Sequence, residues 1–302
     1  MSAILLIPAL LLDAAFGEPK LIWNRWPHPA ILMGRAVAWA EARFNAGDDL
    51  RLKGSAVMAG LGLGAMLVGW LIHLIPDYGV LEIVAAAVLL AQRSLVDHVQ
   101  AVGNALRLSL GDGRQAVAMI VGRDTTVLDR SGVSRAAIES AAENLSDGVI
   151  APAFWFLIGG LPGLMLYKIT NTADSMIGHR TPRYEQFGWA AARFDDLLNL
   201  IPARLTAVLI ALTHGWFNPS PILRDAPLHR SPNAGWPEAA VAVVLNIALA
   251  GPRSYNGQQT DYPWVWPEGR RDPGPDDIDS AVRALWRAWS GMLAVVVLVA
   301  LI

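Results

Sequence analysis

Cysteine is absent from this chain of 302 residues. That excludes disulfides, a thiolate nucleophile, Cys-ligated zinc and iron–sulfur clusters. Charge is scarce: Asp, Glu, Lys and Arg make up 17% of the residues, against roughly 25% in a soluble domain, and the shortfall points to lipid contact. There is no run of Lys or Arg, and the net charge is −2, so nothing favours nucleic acid as a partner. The six His show no HxxxH or HExxH spacing, which leaves a His-built zinc site unsupported. Neither a P-loop nor a Rossmann glycine fingerprint occurs, so any nucleotide would bind unconventionally. The first sixteen residues, apolar except for Ser2 and Asp13, lack a basic n-region and a small-residue cleavage site. They read as a retained membrane segment. Chemistry must rest on carboxylates, Arg, Lys, His and hydroxyls.

What is plentiful is apolar sequence, 54% of the chain, with mean hydropathy +0.37, gathered into blocks. Residues 54–75 and 284–302 each approach the roughly 20 residues that cross a bilayer. Gly60 and Gly64 on the first block form a GxxxG pair suited to close helix packing. Residues 80–92 follow the turn-like Pro76-Asp77-Tyr78-Gly79 and complete a helical hairpin. The segment 17–53 carries Lys20, Arg25, Arg35, Arg43, Arg51 and Lys53, and the segment 93–147 carries six Arg. The positive-inside rule puts both on the cytoplasmic side. Residues 149–167 are long enough to span, but Gly159-Gly160-Leu161-Pro162-Gly163 should break the helix and turn the chain back. Residues 200–217 and 239–250 are further apolar blocks, and 252–279 reads as a Pro/Gly/Asp-rich loop. The expected fold is all-α: a polytopic membrane helical bundle with broken or re-entrant helices and cytoplasmic polar helices, in one membrane-embedded domain. The twelve Trp suit an aromatic belt and core.

Two polar constellations stand out. In RAAIESAAENLSDGVIAP, Glu139, Glu143 and Asp147 drift only about 40° per step around a helix and share a face. Arg123 and Arg135 precede them, so a solvated acidic face paired with Arg is the competing reading. In YKITNTADSMIGHRTPRYEQFGWAAARFDDLLNLIPARL, Asn171, Asp174 and Ser175 fall at i, i+3 and i+4, and Asp195 or Asp196 pairs with Asn199 in the same way. Oxygen ligands at helical spacing suit Mg²⁺. Lys168, Arg180, Arg183, Arg193 and Arg204 add donors for phosphate or carboxylate. Polar groups beside apolar blocks are costly unless paired or functional, so the two sets are expected to converge on one polar cavity.

These motifs, together with LLLDAAFGEP, PHPAILMGR, GRDTTVLD and SPNAGWPEAA, resemble the adenosylcobinamide-phosphate synthase family of cobalamin biosynthesis over nearly the whole length. Glu18 stands where the family more often has Asp, which keeps the carboxylate. The resemblance implies a ligase of the bacterial cytoplasmic (inner) membrane with its active site facing the cytoplasm. It would join a carboxylate of adenosylcobyric acid, a corrinoid, to the amine of aminopropanol or its phosphate, using ATP as co-substrate and Mg²⁺. Membrane lipids and other late cobalamin-assembly enzymes are the further partners it implies. In that setting Glu139, Glu143, Asp147, Asp174, Asp195 and Asp196 are the candidate catalytic carboxylates, with Glu143, Asp147, Asp174 and Asp196 as metal ligands. Arg180, Arg193 and Arg204 are candidate phosphate or carboxylate clamps. His28, Arg35, Arg123, Lys168, Asn171, Asn199, His229 and Asn233 complete the substrate-binding candidates. Two rival readings of the residues are an intramembrane Mg²⁺-dependent prenyltransferase, which would need a lipid-tail tunnel, and a transporter, which lacks the expected inverted repeat.

Overall fold

The apolar blocks and the polar segments between them both become helices. A computed structural model describes residues 2–255 and 258–302, with the side chains of Lys20 and 253–260 outside the description. In chain order the helices are α1 (Ser2–Phe16), α2 (Lys20–Trp23), α3 (Pro29–Phe44), α4 (Leu50–His73), α5 (Val80–Leu89), α6 (Gln92–Leu108), α7 (Leu110–Ala118) and α8 (Arg130–Leu145). One π-helical turn (Ser146–Ile150) leads into α9 (Ala151–Ile177), followed by α10 (Trp189–Leu198), α11 (Leu200–Thr213), α12 (Ser220–Asp225), α13 (Gly235–Leu245) and α14 (Pro275–Leu301). The loop expected at 252–279 carries short antiparallel ladders instead. β1 (Leu249–Ala250) pairs with β4 (Trp264–Val265), and β2 (Arg253–Tyr255) with β3 (Gln258–Thr260). Among the described residues three helical stretches are long and apolar enough to cross a membrane, Leu50–His73, Arg130–Ile177 and Pro275–Leu301. The bent pair Trp189–Leu198 and Leu200–Thr213 makes a fourth if counted as one span. The chain is an all-α membrane bundle with broken helices.

Two compact units form. The first comprises Met1–Ala91, Ala151–Asn199 and Val295–Ile302, the second Gln92–Ile150 and Leu200–Ala294. In the first unit α1, α3, α4, α5 and α10 all pack on α9. The close approaches of α4 are made by Gly54 against the Phe187 carbonyl, Gly62 against Leu166 and Gly69 against Pro162. Gly60 and Gly64, the GxxxG pair, meet nothing within 4 Å. The reason is register: Gly62 and Gly69 lie on the face turned to α9, Gly54 faces the turn that holds Phe187, and the pair lies off both. In the second unit α6, α7 and α13 pack on α8, and α11 and α12 pack on α13. Small residues let α8 be enclosed, so that Ala136, Ala137, Ile138, Ala141, Ala142 and Leu145 are all buried.

The break in α9 falls inside the Gly/Pro segment, at Gly160 (φ 59°, ψ −155°). That conformation is essentially restricted to glycine, and Pro162 removes a further helix donor. The chain folds back there. A methyl group added at Gly163 would lie 2.5 Å from the carbonyl oxygen of Trp155, a pair separated by about 12 Å in a straight helix. Ala151 and Tyr167 share one buried core with Leu198, although a straight helix would hold them about 24 Å apart. Gly160→Ala is therefore expected to destabilise the folded protein by about 1–3 kcal/mol. Gly159→Ala, with ordinary backbone and open space around it, should be neutral or slightly stabilising. Thermal unfolding in detergent compares the two, and equal melting temperatures would contradict the strain at Gly160.

Candidate functional site

In the first unit the returning half of α9 presents Tyr167, Asn171 and Asp174 along one side, and α10 presents Asp195, Asp196 and Asn199. Asp195, only 8% exposed, accepts a hydrogen bond on Oδ1 from Asn171 Nδ2 (3.3 Å) and on Oδ2 from Asn199 Nδ2 (3.0 Å). Buried Tyr167 donates its hydroxyl to Asn199 Oδ1 (3.0 Å), which sets which end of that amide faces Asp195. The carboxylate is thus held by neutral amides. Among the described residues neither Asp174 nor Asp195 has a Lys or Arg at ion-pair distance. Asp174 lies close enough to Asp195 and Asp196 for their charges to interact. Gly178 sits against the Asp174 carboxylate with no room for a side chain. Asp196 pairs with exposed Arg193 (3.3 Å) and feels the charge of Arg180. Tyr167 is the member that the sequence reading missed. Its position four residues before Asn171 is the signal that could have exposed it.

Other first-unit candidates have different surroundings. His28 caps α3 by accepting from Ala30 N on Nδ1 (3.1 Å), and its Nε2 meets Val88 O (3.2 Å). Both ring nitrogens are thereby engaged by backbone, with Nε2 carrying the proton. Trp23 packs edge-on against the ring at 4.5 Å. Burial pushes the His28 pKa below its ordinary value, opposed by Glu18 and the Val88 carbonyl, while Lys168 acts with burial. Arg35 is exposed and makes no hydrogen bond or ion pair among the described residues.

In the second unit the acidic face divides. Glu139 is buried, with Oε2 on Arg123 (2.6 Å) and Oε1 accepting from Ala250 N (2.8 Å). Both oxygens tie α8 to its neighbours. Glu143 is exposed, and half-buried Asp147 lies in the π-helical turn that interrupts the register of α8. Such turns recur at functional sites. The adjacent Ser146 hydroxyl is buried with no hydrogen-bond partner among the described residues. A cavity of about 160 Å³ is lined by His229, Arg230, Ala250, Tyr262 and Val265 among others. His229 accepts from Ser231 N (3.0 Å) and lies 3.7 Å from Glu238, while Arg230 stacks over Tyr262. Asn233 accepts from Arg204 (3.3 Å). Candidate carboxylates thus occur in both units. Among the described residues no three His, Asp or Glu side chains are gathered to enclose a metal ion.

The His28 geometry sets a pH dependence. Folded His28 favours the neutral ring, so below the ordinary value of 6.5 the unfolded chain binds a proton that the folded chain resists. This contribution is complete above that value and is lost as pH falls toward the lower folded pKa. His28→Asn keeps a capping oxygen for Ala30 N and removes the titration. The wild type should lose more melting temperature than His28→Asn between about pH 7 and about pH 5; parallel losses would count against this role.

Comparison with known proteins gives a consistent result. The CobD/Cbib protein family matches residues 6–285. Relatives named Cobalamin biosynthesis protein CobD include one from Brucella anthropi, 49% identical over 99% of this chain and 97% of its own. Another, from Sinorhizobium fredii, is 46% identical over 96% and 94%. A third, from Rhodobacter capsulatus, is 44% identical over 99% and 98%. No solved structure matches the chain.

Proposed function

Because this chain belongs to the CobD/CbiB family of cobalamin biosynthesis, we propose that it is the amide-forming ligase of that pathway. It joins adenosylcobyric acid to aminopropanol or aminopropanol phosphate at the expense of ATP, at the cytoplasmic face of the inner membrane. Family membership favours this reading over the prenyltransferase and the transporter. The observation that carries it is the carboxylate cluster of Asp174, Asp195 and Asp196. One member is buried and held by two amides, and Asp196 pairs with exposed Arg193.

Such a cluster fits Mg²⁺, which takes one or two protein carboxylates and completes its shell with water and substrate phosphates. Asp174 and Asp196 would hold the ion, which would supply charge neutralisation for phosphate during carboxylate activation. Asp195 is spent on its amide donors and orients the cluster, with Tyr167 and Asn199 fixing its geometry. Arg180 and Arg193, both exposed, receive phosphate oxygens. A carboxylate of the same cluster accepts the proton that the incoming ammonium must lose before it attacks. In the second unit Glu143 and Asp147 are further proposed ligands, and the His229 cavity is a proposed site for a polar substrate group. Glu139 acts there through position.

The test is product formation by the purified full-length protein from adenosylcobyric acid, ATP, Mg²⁺ and each amine. Asp174→Asn should lower turnover on the order of a hundredfold, and Tyr167→Phe by about tenfold or more, with unchanged elution and membrane insertion. Near-normal turnover by Asp174→Asn would remove it from the site. A wild-type protein that makes no amide with either amine would overturn the function.

A further inference from the structure

In the second unit, α11 and α12 enclose a groove of about 250 Å³ with an almost entirely apolar lining. Ala207, Val208, Ala211 and Leu212 form one wall, at spacings that share a helix face. Ile222 and Leu223 of α12 form the other. The rim is apolar and open: Val208, Leu212, Phe217 and Leu223 are between 50% and 78% exposed. α11 also belongs to the bent helix pair that is apolar enough to cross a membrane, and an open apolar rim on such a helix suits contact with lipid.

One end is cationic. Arg204 lines the groove together with Trp236, its guanidinium 4.5 Å from the centre of the indole ring. Its Nη1 donates to Leu200 O (2.7 Å) and Asn233 Oδ1 (3.3 Å). Among the described residues Nε and Nη2 make no hydrogen bond, and no carboxylate comes within ion-pair distance. An uncompensated Arg beside apolar surface is costly in a membrane. The edge formed by Nε and Nη2 is the one that binds phosphate through two parallel bonds. From Arg204 to Leu212 the helix rises about 12 Å, which gives the groove a charged head and an apolar length.

We propose that this groove binds one anionic phospholipid, with an acyl chain between α11 and α12 and its phosphate on Nε and Nη2 of Arg204. A neutral apolar occupant would leave the guanidinium unpaired, and a small anion would leave the apolar walls uncovered. An anionic amphiphile satisfies both. Trp236 stacks on the guanidinium and holds its plane in place for the phosphate. This assignment uses Arg204 for lipid and stands independently of the catalytic reading.

Native mass spectrometry of the full-length protein, delipidated in detergent and titrated with phosphatidylglycerol or phosphatidylcholine of equal chain length, tests it. The wild type should retain phosphatidylglycerol about tenfold more strongly, the effect of one well-formed charge-assisted contact. Arg204→Gln should abolish that preference while still retaining lipid. Val208→Trp, placed at the exposed rim where it cannot disturb the core, should weaken retention of both lipids. Equal retention of the two lipids by the wild type overturns the proposal, as does an unchanged preference in Arg204→Gln. Displacement of the lipid by inorganic phosphate regardless of chain length would make this a free-anion site. A dimer that Val208→Trp dissociates would make the groove a contact between copies.

Discussion

The backbone reversal at Gly160 is the constraint on which the first unit depends. A continuous α9 would run about 40 Å and carry Tyr167, Asn171 and Asp174 away from the residues that precede the break. With the reversal, Ala151, Tyr167 and Leu198 close into one core, and the Trp155 indole donates to the Leu198 carbonyl at 3.0 Å. The end of α10 is thereby pinned to the outgoing half of α9. Its Asp195 and Asn199 meet the returning half. Broken backbone in an apolar segment is tolerable because neighbouring helices enclose it.

A polar cluster survives in this apolar protein because its buried carboxylate is given donors. Asp195 is deeply buried, and removal of a carboxylate from water is expensive unless its oxygens find donors. Asn171 and Asn199 supply them, and the Tyr167 hydroxyl donates to Asn199 and orients its amide. Use of neutral donors holds Asp195 with no Lys or Arg at ion-pair distance among the described residues, and the proposed Mg²⁺ role rests on that arrangement. Glu139 shows the opposite arrangement. Arg123 and the Ala250 amide consume both of its oxygens, so it fastens α8 and adds no free charge.

Much of this was legible in residue spacing. The glycines around Pro162 announced the break, and the i, i+3 and i+4 relations of Asn171, Asp174, Asp195 and Asn199 announced two polar faces. Other features depend on what packs against what. Gly60 and Gly64 match a motif but face no neighbour within 4 Å, while Gly62 and Gly69 make close contacts because their register points at α9, and Gly54 because it faces Phe187. The shared face of Glu139, Glu143 and Asp147 assumed continuous α-helix, whereas a π-helical turn begins at Ser146. Tyr167 looked like one more apolar-block aromatic until its hydroxyl was found on Asn199. The β1–β4 ladder joins Leu249 to Val265 and Ala250 to Trp264, a pairing of separated segments that no local pattern in a Pro/Gly/Asp-rich stretch encodes.

The reversal itself can be measured in solution, and the absence of cysteine makes the chain ready for it. Nitroxide labels on the double variant Phe154→Cys/Lys168→Cys report the separation of the two halves of α9 by dipolar electron paramagnetic resonance in lipid nanodiscs. The account predicts a backbone separation of about 10 Å, one helix-packing distance. A separation of about 21 Å, that of a straight helix, would contradict it and break the core that Ala151 shares with Tyr167 and Leu198.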